Sequence, residues 1–153
     1  MLRISKLADY GTVVMVYLVH HQDKLCNARD IATHTHLSIP TVSKLLKKLT
    51  SAGLLISVRG ASGGYKLQRS AAEISVADIL FALDEQRGII ECHMKSSDCS
   101  LGQVCRIQTN WRIISQAVES ALSSVSLDAL AQPHFPESDL ERVKQLANGV
   151  ERG

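Results

Sequence analysis

Apolar side chains recur at steps of three and four near the start of the chain, at Ile4, Leu7, Tyr10, Val14, Tyr17 and Leu18. That period predicts an amphipathic helix over about 6–21. After the polar connector "HQDKLCN", Asn27 is placed to cap a short second helix, with Asp30 three residues on and an end near His34. "THTHLSIP" leaves room only for a turn. Ser38 is a good N-cap, and Pro40 suits the first turn of a third helix, where its missing N–H costs nothing. Val42, Leu45, Leu46 and Leu49 give that helix a buried stripe, while Lys44, Lys47 and Lys48 stay outside it and Gly53 ends it. Residues 55–58 and 65–67 read as two short strands, with Gly60, Gly63 and Gly64 between them to supply a tight hairpin.

Downstream, "EISVADILFALD" predicts a helix that packs Val76, Ile79, Leu80 and Leu83. The stretch "ECHMKSSDCSLGQVCRIQTNW" has few apolar residues and little periodicity, so it reads as a loop. A long helix from about 103 to about 130 then puts Trp111, Ile114, Val118, Leu122 and Val125 on one stripe at coiled-coil-like steps. "AQPHFPESD" ends it, and the remaining residues are helix-capable. No internal repeat is present.

The chain has 153 residues, 45% hydrophobic and 21% charged, which fits one ordinary soluble domain or a small domain plus an appendage. A basic start before an apolar run is a signal-peptide cue. However, Asp9, Tyr10, Gly11 and Thr12 interrupt the run, and no small-residue cleavage pattern follows. No stretch is long and apolar enough to span a bilayer, so a cytoplasmic protein with no membrane partner is expected. In that compartment thiols stay reduced.

Charge changes the picture. Between Ile31 and Ala72 there are six basic residues (Lys44, Lys47, Lys48, Arg59, Lys66 and Arg69) and no acidic one. With a net charge of +2 overall, the rest of the chain is therefore −4. One basic face on an otherwise acidic molecule is the footprint of a polyanion binder. Helix, helix, turn, basic helix and Gly-tipped hairpin is also the order of a winged helix-turn-helix, a mainly α fold. Ser38, Pro40, Thr41, Ser43 and Lys44 are placed to enter a major groove, while Lys47 and Lys48 would neutralise phosphates. Arg59 stands at the base of a wing whose Ser62, Gly63 and Gly64 can approach the DNA backbone closely. The plainer reading, a solvated lysine face and a surface hairpin, explains each piece alone but not their order within an acid-free window.

Three of the four cysteines, Cys92, Cys99 and Cys105, lie in the predicted loop. Three is odd for disulfides and one short for a tetrahedral metal site. The close C-x-x-C pairs of zinc ribbons are missing. Soft thiolates on a loop suit an iron–sulfur cluster, in which another ligand sometimes replaces one cysteine. The plainer alternative is three reduced, half-buried thiols. Cys26, apart from the others, reads as an ordinary buried or free thiol. No catalytic constellation, phosphate-binding loop or nucleotide fingerprint is present, and the histidines read as surface residues, so neither an enzyme nor a small-molecule substrate is expected.

"ISKLADYG", "VRGASGGYKL", "ISVADIL" and the three-cysteine loop leading into a long helix resemble, in that order, the IscR/NsrR (Rrf) family of bacterial transcription regulators. The resemblance runs from Met1 to about Leu130 and is nearest to regulators of SUF assembly operons. It implies a winged helix-turn-helix domain over 1–84, a cluster-binding loop over 85–106, a dimerisation helix over 107–132 and a tail over 133–153. The implied homodimer is joined through Trp111, Ile114, Val118, Leu122 and Val125 and binds double-stranded operator DNA. Cys92, Cys99 and Cys105 would be cluster ligands. IscR-type members carry a histidine where this chain has Gln108, a poor iron ligand. NsrR-type members use an aspartate from the partner's first helix, at the position of Asp9. Glu91 and His93 are nearer in sequence, but beside Cys92 they would have to fold back sharply. The plainer reading of Asp9 is a carboxylate favoured by the helix dipole. Ser43 stands where IscR-type members carry an acidic residue, so their base preferences do not transfer. The expected function is a repressor of cluster-assembly (SUF/ISC) genes carrying a 2Fe-2S cluster, with 4Fe-4S as the alternative nuclearity. Nitric-oxide or redox-stress sensing and a cofactor-free DNA-binding protein are the alternative functions.

Overall fold

The computed structural model describes residues 4–84 and 107–149. Helix α1 spans Lys6–Val19, α2 Ala28–Thr35 and α3 Ile39–Ser51; strands β1 (Leu55–Val58) and β2 (Gly64–Leu67) follow. A 3-10 turn over Ala71–Glu73 leads into α4 (Val76–Leu83), and α5 (Gln108–Ser123), α6 (Leu127–Ala131) and α7 (Glu137–Gly149) complete the order. Among the described residues the fold is mainly α with one two-stranded sheet, a winged helix.

The caps sit where the polar punctuation places them. Ser5, Asn27 and Ser38 accept hydrogen bonds from the backbone N–H groups of Ala8, Asp30 and Thr41 at 3.2, 2.9 and 3.3 Å. Each such cap stabilises its helix by about 1 kcal/mol. Ile4 falls just before the cap, outside α1, and is exposed rather than part of the buried stripe. His36 ends α2 in the left-handed region (φ 57°). Gly53 (φ +74°) ends α3, with Gly53 N–H on the Thr50 carbonyl and Leu54 N–H on that of Leu49, both at 3.0 Å. That double closure fixes the direction in which β1 leaves the helix.

β1 and β2 pair antiparallel, with Leu55 opposite Leu67 and Val58 opposite Gly64. Cys26 adds a third rung: its N–H and carbonyl exchange hydrogen bonds with Tyr65 at 3.0 and 2.9 Å. The wing is thereby tied to the connector before α2. Gly64 is buried there, and a Cβ on it would come within 2.9 Å of the Cys26 backbone.

The core gathers Val14, Met15 and Leu18 of α1, Ile31 of α2, the α3 stripe, and Ile79 and Leu83 of α4. Burial of each large aliphatic side chain contributes about 1.5–3 kcal/mol. Gly11 lets α1 pass directly over Leu83 and Leu45, where a larger residue would collide.

The expected continuous helix to about 130 is two helices. Val76 N–H bonds the Val125 carbonyl at 2.9 Å, and Leu127 N–H bonds that of Ile74 at 2.7 Å, so the chain runs extended past the α4 entrance. Ser126 then caps α6 through Ala129 N–H at 3.1 Å. The break turns Leu127, fully buried, into the same core as α1 and α3. A straight continuation of α5 would instead have put it on the face opposite Trp111, Val118 and Leu122.

Candidate nucleic-acid interface

On α3 the residues outside the buried stripe divide into two sets. Pro40, Ser43, Lys44 and Lys47 recur at i, i+3, i+4 and i+7, and all four are exposed on one outward face. Ser38 and Thr41 lie at the helix start, where the Ser38 hydroxyl both caps the helix and shares a 2.7 Å hydrogen bond with the Thr41 hydroxyl. Lys48 lies to one side of that face. It is half-buried, and its ammonium donates to the Leu83 carbonyl, 3.4 Å away at the end of α4. Beside it an open groove of about 540 Å³ runs between α3 and α4, lined by Lys44, Lys47, Lys48, Ser51 and Phe81.

On the wing, Arg59 and Ser62 are exposed, and Gly60 takes φ +119° at the tip. Gly63 and Gly64 have packing duties as well: a Cβ on Gly63 would strike the Val58 carbonyl oxygen, and Gly64 lies against Cys26. Cationic side chains on a protruding helix and hairpin, with no acid in the same stretch, form a surface suited to a phosphate backbone.

Cys26 is buried, and burial pushes its thiol above the ordinary range; Lys24 opposes the shift, while Asp30 and Asp23 add to it. Burial likewise raises the Tyr17 phenol, with Cys26 and Asp30 contributing. Tyr17 stacks on His21 with ring centroids 4.1 Å apart, so His21 is half-buried instead of a plain surface residue.

The cysteine stretch, with Cys92, Cys99, Cys105, Glu91 and His93, lies outside the described residues. Among the described residues no three His, Cys, Asp or Glu side chains converge as metal ligands. Asp9 is exposed in the first turn of α1. Its carbonyl accepts from the Thr12 hydroxyl at 2.6 Å, and its carboxylate has no hydrogen-bond or ion-pair partner among the described residues. Gln108 is the first residue of α5. Along α5, Trp111, Ile113 and Ile114 are exposed by 37%, 51% and 42%, whereas Val118 and Leu122 are half-covered. Val125 falls in the break beyond the helix.

Residues 4–133 match the family model described as "Rrf2: Iron-dependent Transcriptional regulator". The chain belongs to the Rrf2 family. Its relatives include the HTH-type transcriptional regulator IscR of Vibrio atlanticus, 34% identical over 130 residues, which span 84% of this chain and 75% of that protein. Protein rrf2 of Nitratidesulfovibrio vulgaris is 29% identical over 127 residues, or 82% of this chain and 85% of the relative. Among solved structures, CymR, the global cysteine regulator of B. subtilis, superposes with a TM-score of 0.67 at 30% identity, covering 86% of this chain and 97% of its own. T. potens IscR superposes with a TM-score of 0.61 at 28% identity, covering 95% and 90%. As a member of the Rrf2 family, the protein is a DNA-binding transcription regulator and not an enzyme. No helix among the described residues is long and apolar enough to cross a membrane.

Ile39 is a surface feature of the recognition helix that the sequence pattern did not single out. It is 49% exposed at the first turn of α3, and the only signal was an apolar residue just outside the buried stripe.

Proposed function

We propose that the protein is a dimeric repressor whose operator affinity is set by an iron–sulfur cluster, and that it controls iron–sulfur cluster assembly genes of the SUF or ISC type. The observation that carries this reading is a 130-residue match to iron-dependent regulators in a chain with three cysteines in one short stretch. The donor chemistry fits: thiolates of Cys92, Cys99 and Cys105 suit iron, and the exposed, unpaired carboxylate of Asp9 is available to a second copy. When bound, the cluster supplies a centre that responds to redox state and small molecules; 2Fe-2S is the preferred nuclearity and 4Fe-4S the alternative.

The chain's own residues would connect that centre to DNA. The cysteine stretch begins just past α4, and Lys48 of α3 holds the Leu83 carbonyl at the end of α4. Asp9 rides on α1, which packs against α3, α4 and α6. Altered ligation of Asp9 would reach the recognition helix through the packing of α1 on α3. Such a switch works only if the ligated and unligated forms bind operator with different affinity. The carboxylate of Asp9, an oxygen donor among thiolates, favours a second reading in which the signal is nitric oxide or redox stress.

Native mass spectrometry of the anaerobically purified protein, paired with operator binding, tests this. Two irons and two sulfides per subunit, with an affinity change on removal, support the cluster-supply reading. Four and four move the assignment to nitric-oxide sensing. Asp9→Ala that keeps both cluster and affinity change removes Asp9 from the ligand set. A metal-free dimer that binds DNA equally with and without the three cysteines leaves a cofactor-free regulator.

A further inference from the structure

The outward face of α3 carries no planar amide, guanidinium or carboxylate side chain to pair with a base edge. No Arg, Asn, Gln, Asp or Glu occurs in Ile39–Ser51. Bidentate readout of adenine and acidic readout of cytosine are therefore missing from this helix. The two hydroxyls at its start are already engaged, Ser38 with the Thr41 N–H and hydroxyl at 3.3 and 2.7 Å. What the first turn presents instead is carbon. Ile39 is 49% exposed, and Pro40, also exposed, opens the face continued by Ser43, Lys44 and Lys47. In helix-turn-helix proteins the N-terminal residues of this helix meet the base edges. The apolar feature on the major-groove floor is the C5-methyl group of thymine.

We propose that Ile39 and Pro40 read thymine C5-methyl groups in each operator half-site, and that this contact, more than hydrogen bonding, sets the base preference of α3. Lys44 and Lys47 behind them hold the helix on the phosphates. The proposal rests on α3 being the element in the major groove; it does not depend on the cluster.

The test uses a duplex enriched from random-sequence DNA by the full-length protein. Each thymine is replaced in turn by deoxyuridine, which removes the methyl group and leaves the pairing edge intact. At one or two positions per half-site the replacement should weaken wild-type binding about fourfold, the worth of one buried methyl. Ile39→Ala should shrink that ratio, and Ile39→Ala with Pro40→Ala should bring it to one, with unchanged circular-dichroism melts. Uniform affinity across every thymine-to-deoxyuridine duplex would overturn the proposal, as would a ratio that survives in the double variant. Undiminished binding by Lys44→Ala with Lys47→Ala would instead remove α3 from the groove, and the methyl contact with it.

Discussion

Gly64 has no room for even one carbon. Its buried position places a would-be Cβ 2.9 Å from the Cys26 backbone, which cannot swing aside because both its N–H and carbonyl are bonded to Tyr65. Gly64→Ala should therefore cost about 1–3 kcal/mol, read as a lower denaturant midpoint, whether or not DNA is present. Cys26 gives a second residue-scale prediction. Burial raises its pKa, so the folded chain holds the thiol proton more tightly than the unfolded chain. The sign follows: this contribution to stability is complete below the ordinary thiol range and is lost as pH rises from that range through the raised value of the folded chain. In a variant with Cys92, Cys99 and Cys105 replaced by serine, iodoacetamide should modify Cys26 at neutral pH at least about tenfold more slowly in the folded than in the unfolded chain. Equal rates would refute the buried, protonated thiol. The glycines were legible in the sequence as hairpin formers. The reason Gly64 must be glycine was not, because it lies in the close approach to Cys26, 38 positions earlier, beside the Cys26–Tyr65 bridge.

Among the elements, α3 was read almost whole, since its caps, its apolar stripe and its terminating glycine are all local signals. Lys48 was not, because its partner belongs to α4. The two neighbouring lysines should separate by experiment. Lys47→Ala should flatten the dependence of log affinity on log salt by about one, measured by fluorescence anisotropy. Lys48→Ala should change that slope less and lower stability by about 1 kcal/mol, measured by urea titration. Equal slope changes would return Lys48 to the phosphate contacts. The α5–α6 break was also hidden. Helical periodicity continues across Ser123–Ser126, and only the hydrogen bonds to Ile74 and Val76 show why the chain leaves the helix there.

At the scale of the whole molecule, the uneven charge and the exposed α5 stripe point in different directions: one toward DNA, the other toward the second copy of the proposed dimer. Trp111 and Ile114 leave large apolar side chains of that stripe without cover from the described residues of the same chain, and Ile113 is exposed on another face of α5. Ile114→Glu should yield a monomer in sedimentation velocity and weaken operator binding severely, since two half-sites would no longer be held together; a dimer that persists would place the subunit contact elsewhere.

Leu127 carries a final consequence. Leu127, from beyond the cysteine stretch, fills a place in the core shared by α1, α3 and α4, and we expect residues 1–84 alone to be destabilised by its loss. Cut free or grafted onto another protein, they would expose a Leu-sized void among α1 and α4, and heating the intact subunit should melt reader and stalk base together in one step. Leu127 opens α6, which packs on α1, and α1 packs on α3, so a displacement of that segment should reach the recognition helix through a shared keystone and not merely a tether.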